Sequence, residues 1–181
     1  MRWIAALWLT ASTTWANPMI IEDFTDGEAT GWSYVSDRVM GGVSNGGAAF
    51  FKEGDETFAR LSGEVSTANN GGFIQIRRQL STALPAASTG IRLTARGNGE
   101  RYYIHLRPTT SRRPWQYYAA SFESSADWSE ITLGWSDFKP EGGLPESFDP
   151  TQITSLGIVA YGADYKAELD VKSVEVISPK S

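Results

Sequence analysis

Apolar and polar residues alternate with a period of two along most of the chain, and no stretch carries a convincing period of 3.6. The clearest run, Gly90-Ile91-Arg92-Leu93-Thr94-Ala95-Arg96, stops at Gly97-Asn98-Gly99, which reads as a hairpin turn. Arg101 to Arg107 alternates next and stops at Pro108. Strand patterns also cover Met19 to Phe24, Thr57 to Val65, Phe73 to Arg77 (after the turn Asn69-Asn70-Gly71-Gly72), Trp115 to Phe122, Glu130 to Trp135, Ser155 to Tyr161 and Ala167 to Ile177. This predicts an all-β chain of roughly ten strands, an antiparallel β-sandwich or jelly roll. No repeat, linker or low-complexity segment interrupts it, so residues 17–181 read as one domain.

Alternation also assigns faces, because successive strand side chains point to opposite sides. Ile91, Leu93 and Ala95 are expected inward, against Arg92, Thr94 and Arg96 outward. Tyr102, Ile104 and Leu106 form the apolar set of the next strand, opposite Arg101, Tyr103, His105 and Arg107. Ile74 and Ile76 oppose Gln75 and Arg77. Trp115 and Tyr117 share one face, Tyr118, Ala120 and Phe122 the other, and the pattern leaves open which faces the core.

Composition narrows the function classes. The 181 residues are 41% hydrophobic and 20% charged, too polar for a multi-span membrane protein and too apolar for a disordered one. The absence of Cys excludes disulfides, thiolate metal sites and thiol nucleophiles. A single His leaves a Ser-His-Asp triad arithmetically possible but not a multi-histidine metal centre. Met1-Arg2, the apolar run Trp3 to Leu9 and Thr14-Trp15-Ala16 read as a signal peptide over residues 1–16, too short to be a transmembrane segment. The expected location is the periplasm or outside the cell.

Removing that leader exposes a charge asymmetry. Between Val65 and Phe122 lie eight arginines and one glutamate, a balance of +7, whereas the rest of the mature chain has seven basic and twenty acidic residues, a balance of -13. Arginine forks recognise carboxylates and stack on rings. The candidate ligand surface therefore takes Arg77, Arg96 and Arg107 with Tyr103, His105, Trp115 and Tyr117. The other reading pairs these arginines with acids from neighbouring strands. An acidic exported chain argues against nucleic acid.

Ser36-Asp37-Arg38-Val39-Met40-Gly41-Gly42-Val43-Ser44 is the most distinctive stretch. Asp37 suits a turn and the paired glycines suit positive φ or close backbone approach. It reads either as a polar Asp37–Arg38 pair at the mouth of the sandwich, which adds Arg38 to the ligand candidates, or as an Arg-anchored loop holding two strands. His105 has no nucleophile placed beside it. Acids at both ends of the chain, Asp23 and Asp170 with Glu22 and Glu168, are weak candidates for a structural calcium ion. Gly97-Asn98-Gly99 lacks the third glycine of a dinucleotide fingerprint, and no cofactor is expected.

Trp32, the Ser36-Asp37-Arg38 stretch with Gly41-Gly42 and Ser44, Gly63-Glu64 and Gly72-Phe73 resemble the complex I intermediate-associated protein 30 family. So do Arg96-Gly97-Asn98-Gly99 with Tyr102 and Tyr103, Trp128-Ser129-Glu130-Ile131 before Phe138, Ile153 to Ile158, and Glu168-Leu169-Asp170-Val171. The resemblance implies a galactose-binding-domain-like jelly roll without an established catalytic set. Mitochondrial members act as assembly factors for the respiratory NADH:ubiquinone oxidoreductase, and carbohydrate-binding modules use the same architecture widely. The loop Lys139-Pro140-Glu141-Gly142-Gly143 departs from the mitochondrial pattern. Two non-enzymatic functions follow: an assembly-factor-like or chaperone-like domain for a protein partner, or a module for acidic saccharides.

Overall fold

The structure, a computed structural model, describes residues 18–25 and 31–178, so the expected leader lies outside the described residues. In chain order its strands are β1 (Met19–Glu22), β2 (Trp32–Ser36), β3 (Asn45–Glu53), β4 (Glu56–Val65), β5 (Phe73–Gln79) and β6 (Gly90–Gly97). Then come β7 (Arg101–Pro108), β8 (Tyr118–Glu123), β9 (Ser129–Gly134), β10 (Lys139–Pro140), β11 (Ile153–Tyr161) and β12 (Tyr165–Ile177). They form two antiparallel sheets. The first runs β3-β4-β12-β6-β9, with β1 pairing the far half of β12 beyond β4; the second runs β10-β8-β7-β11-β5-β2.

The faces assigned from alternation hold. Ile91, Leu93, Ala95, Ile74, Ile76, Tyr102, Ile104 and Leu106 are all buried in one core between the sheets, with Leu156, Ile158, Leu169 and Val174. Tyr118, Ala120 and Phe122 face that core. Glu22 ties the two layers at one edge: Trp32 Nε1 donates to its Oε2 at 3.0 Å, Arg78 pairs with the same oxygen, and Phe24 N–H donates to Oε1 at 2.9 Å.

Three expectations are corrected. Trp115 to Tyr117 precede β8, in the loop after β7, and Trp135 stands in a short 3-10 turn. β2, β3 and β10 are additional strands; in β3 the run Gly46-Gly47-Ala48-Ala49 offers no alternation to read. Gly97-Asn98-Gly99 is not a hairpin, because β6 lies in the first sheet and β7 in the second. It is a corner: Asn98 Nδ2 donates to Lys166 O at 2.6 Å, and its Oδ1 accepts the Tyr102 hydroxyl at 2.8 Å.

Candidate functional site

The outer face of the second sheet carries the side chains left over from the core. On β5 these are Gln75 and Arg77, on β11 Ser155, Gly157, Val159 and Tyr161, and on β7 Tyr103, His105 and Arg107. Register places Gly157 between Arg77 on one side and His105 on the other, with Ala119 of β8 beyond His105. The small residue in the middle leaves a recess of about 30 Å³, lined by Gln75, Arg77, His105, Arg107, Pro114, Tyr117, Ser155 and Gly157.

A rim closes over this floor. The loop from Thr109 to Tyr117 is held by Gln116, whose Oε1 accepts the N–H groups of Arg112 and Arg113 at 2.8 and 3.1 Å. Gln116 Nε2 donates to Gly142 O at 3.2 Å, and a Cβ on Gly142 would stand 2.5 Å from Trp115 O. The loop at 139–143 thus supports the rim. The rim in turn sets Tyr117 flat against His105, while Tyr103 and Tyr161 meet the imidazole edge-on at 6.1 and 5.8 Å. Trp115 stays half exposed beside the rim, with the Arg113 guanidinium 5.4 Å from its ring centre.

Burial dominates the electrostatics. It pushes the His105 pKa down to about 3, so the imidazole is neutral at physiological pH, and its buried Nε2 has no hydrogen-bond partner among the described residues. Burial, with a smaller contribution from nearby Arg77, also lowers the Arg107 pKa. The Tyr117 phenol is raised by burial, and next by Tyr161.

The arginines divide into two groups, so each sequence reading describes half of the basic segment. Arg78 pairs with Glu22, Arg92 with Glu175 and Glu130, Arg96 with Asp170 and Glu53, and Arg101 with Glu123. Arg77, Arg107, Arg112 and Arg113 form no ion pair among the described residues; Arg107 donates instead to Arg113 O at 3.0 Å. Arg96 stands on the first sheet, its guanidinium 4.6 Å from the Trp128 ring centre, and is not brought together with the other candidates.

Neither calcium candidate is left without a partner. Asp170 is clamped by Arg60 at 2.6 and 2.8 Å and by Arg96 at 2.8 Å, while Asp23 Oδ1 accepts from Thr25 in its own turn. Among the described residues no cluster of three or more acidic or His side chains is placed to hold a metal.

The Ser36–Ser44 stretch stands at the end of β5 away from Arg77. Asp37 is its anchor, not Arg38. The fully buried carboxylate accepts Ser44 N–H at 3.0 Å, the Ser44 hydroxyl at 2.5 Å, Gly72 N–H at 2.6 Å and Phe73 N–H at 3.2 Å. Burial would raise its pKa, but these bonds together outweigh it and hold the group below the usual carboxylate range. Arg38 is exposed and only closes its own loop, donating to Ser44 O at 3.2 Å. The two glycines differ in purpose: Gly41 has φ +91°, whereas a Cβ on Gly42 would stand 2.3 Å from Asp37 Cγ.

Four of the sequence candidates, Arg77, His105, Arg107 and Tyr117, line the recess, and Tyr103 stands beside it. Gln75, Ser155, Gly157 and Tyr161 were missed, although the same alternation that buries Leu156 and Ile158 places the last three on this face. Among the described residues no helix is long and apolar enough to cross a membrane.

Solved structures share the fold. A family 11 carbohydrate-binding module of a cellulosomal cellulase of Clostridium thermocellum superposes with a TM-score of 0.74 at 13% identity, over 92% of this chain and 97% of that one. A family 11 module from the same organism, in complex with a β-1,3-1,4-mixed-linked tetrasaccharide, gives 0.72 at 14% identity over 89% and 95%. A family 30 carbohydrate-binding module gives 0.52 at 16% identity over 76% and 92%. No curated protein sequence matches the chain. The profile of the family described as Complex I intermediate-associated protein 30 (CIA30) matches residues 22–171, from Glu22 at the layer-tying edge to Val171 in the central strand, and the chain belongs to that family.

Proposed function

We propose that the chain is a non-catalytic binding module that takes an extended acidic saccharide across the outer face of its second sheet. One observation carries this reading: Arg77 and Arg107 share a recess, without a carboxylate partner among the described residues, beside the rings of Tyr103, Tyr117 and Tyr161. Unpaired guanidinium groups supply forks for carboxylates, and the rings supply apolar faces for sugar C–H groups. The likeness in fold to carbohydrate-binding modules supports the choice of ligand class. Export by a leader ending at Ala16 would deliver the module to the periplasm or beyond, where polysaccharides lie.

Affinity electrophoresis tests this reading. The protein should be retarded in gels containing acidic polysaccharides at low salt, less so at high salt. Equal mobility with and without every polysaccharide would overturn it.

A protein partner, in the manner of an assembly factor, is the second reading. It is favoured by family membership and by Val39, Met40 and Val43, which are exposed on the loop that Asp37 holds in place. Cross-linking in cell envelopes should then yield a reproducible partner that a Val39→Ser/Met40→Ser variant loses. Recovery of bulk abundant proteins alone counts against it.

A further inference from the structure

We infer that the recess between β5, β11 and β7 is a carboxylate subsite: Arg77 and Arg107 hold the two oxygens of one sugar carboxylate, and His105 forms part of the floor beneath it. This rests on the saccharide reading and specifies its ligand as a uronate chain.

Size is the first argument. A recess of about 30 Å³ has room for one or two water-sized groups, and so for carboxylate oxygens but not for a pyranose ring. The ring stays outside, beside Tyr117 and Tyr161. Gly157 creates the space: a Cβ there would stand 2.9 Å from Gln75 Oε1 and 3.8 Å from His105 Cβ, between the two walls.

Charge points the same way. Two guanidinium groups stand close enough for Arg77 to disfavour the charge on Arg107, and no acid among the described residues relieves them. An anion between them removes that repulsion, and a planar carboxylate matches guanidinium forks by forming paired N–H···O bonds. A sulfate ester brings a third oxygen into the same small volume.

Calorimetric titration of the purified chain with oligogalacturonate, oligomannuronate and oligoglucuronate tests the subsite. Fully methyl-esterified oligogalacturonate, a neutral mixed-linked glucan and a sulfated galactan complete the set. At least one uronate should bind, and its esterified or neutral counterpart should bind ~10-fold more weakly or less. Arg77→Gln and Arg107→Gln should each weaken uronate binding about 10-fold, Gly157→Val should block it, and Arg96→Gln should leave it unchanged. Urea unfolding of each variant shows that it is folded; if Gly157→Val is not, the two arginine variants still decide. Neutral glucan binding that ignores Arg77 and Arg107 would overturn the subsite and the preference for acidic chains, leaving only the saccharide class. Equal, arginine-dependent binding of the sulfated galactan would overturn its preference for carboxylate. Binding of none of these saccharides would overturn both.

Discussion

Tyr117 lays its ring flat on the imidazole of His105, with centroids 3.9 Å apart and planes 11° from parallel. The contact makes an outward-facing strand position a buried one, so the rim loop governs the electrostatics of the recess floor. Tyr117→Ala should therefore raise the His105 pKa from about 3 toward its ordinary value, by roughly two units. His105 is the only histidine of the chain, so its NMR titration is unambiguous. A wild-type imidazole that already titrates near its ordinary value would contradict the burial.

The same depressed pKa makes folding sensitive to mild acid. At pH values above the ordinary histidine range the imidazole is neutral both folded and unfolded, and contributes no slope. Below that range the unfolded chain takes up a proton that the folded chain refuses until about pH 3, so stability falls as pH drops. From neutral pH to pH 5 the loss from this group comes to about 2 kcal/mol. Urea unfolding at both pH values should show His105→Gln losing less stability than wild type by about that amount. Parallel losses in the two proteins would refute the linkage.

Asp37 carries the same sign at lower pH. Its folded pKa is lowered, so its stabilisation is complete above the ordinary carboxylate range and is lost as pH falls from that range through the lowered folded value. Asp37→Asn replaces an acceptor-only group by one that presents N–H to N–H, and should cost about 3 kcal/mol in urea unfolding at neutral pH. Gly42→Ala should also destabilise through its clash with Asp37 Cγ, whereas Arg38→Ala, at an exposed position, should stay within about 0.5 kcal/mol of wild type. A near-neutral Asp37→Asn would show that the loop is held by something else.

Much of the site was legible because strand alternation sorts Arg77, Tyr103, His105 and Arg107 away from Ile76, Tyr102, Ile104 and Leu106. The misplacements have a common cause in tertiary pairing. Arg96 has the same outward phase as Arg107, and only the fold brings Asp170 and Glu53 to it from 74 and 43 residues away. Asn98 and its flanking glycines carry turn chemistry that serves a hairpin and a corner between sheets equally well. Arg38 has the longer side chain in its motif, but the short Asp37 side chain is the one that reaches the backbone of Gly72.

The proposed export gives a direct chemical expectation. Protein recovered from its native cell should begin at Asn17, with the mass of residues 17–181, and should partition with the envelope or medium fraction. An intact Met1 on cytoplasmic material would refute the leader.

Ligand binding on the outer face of the second sheet should leave a localised signature. Amide chemical-shift mapping of the labelled protein against a binding uronate oligosaccharide tests it most directly. The largest shifts are expected at Arg77, His105, Arg107, Tyr117 and Gly157, with the region from Ser36 to Ser44 and the Arg96–Asp170 face unmoved. Shifts concentrated on Val39, Met40 and Val43, or around Arg96, with the recess silent, would contradict it.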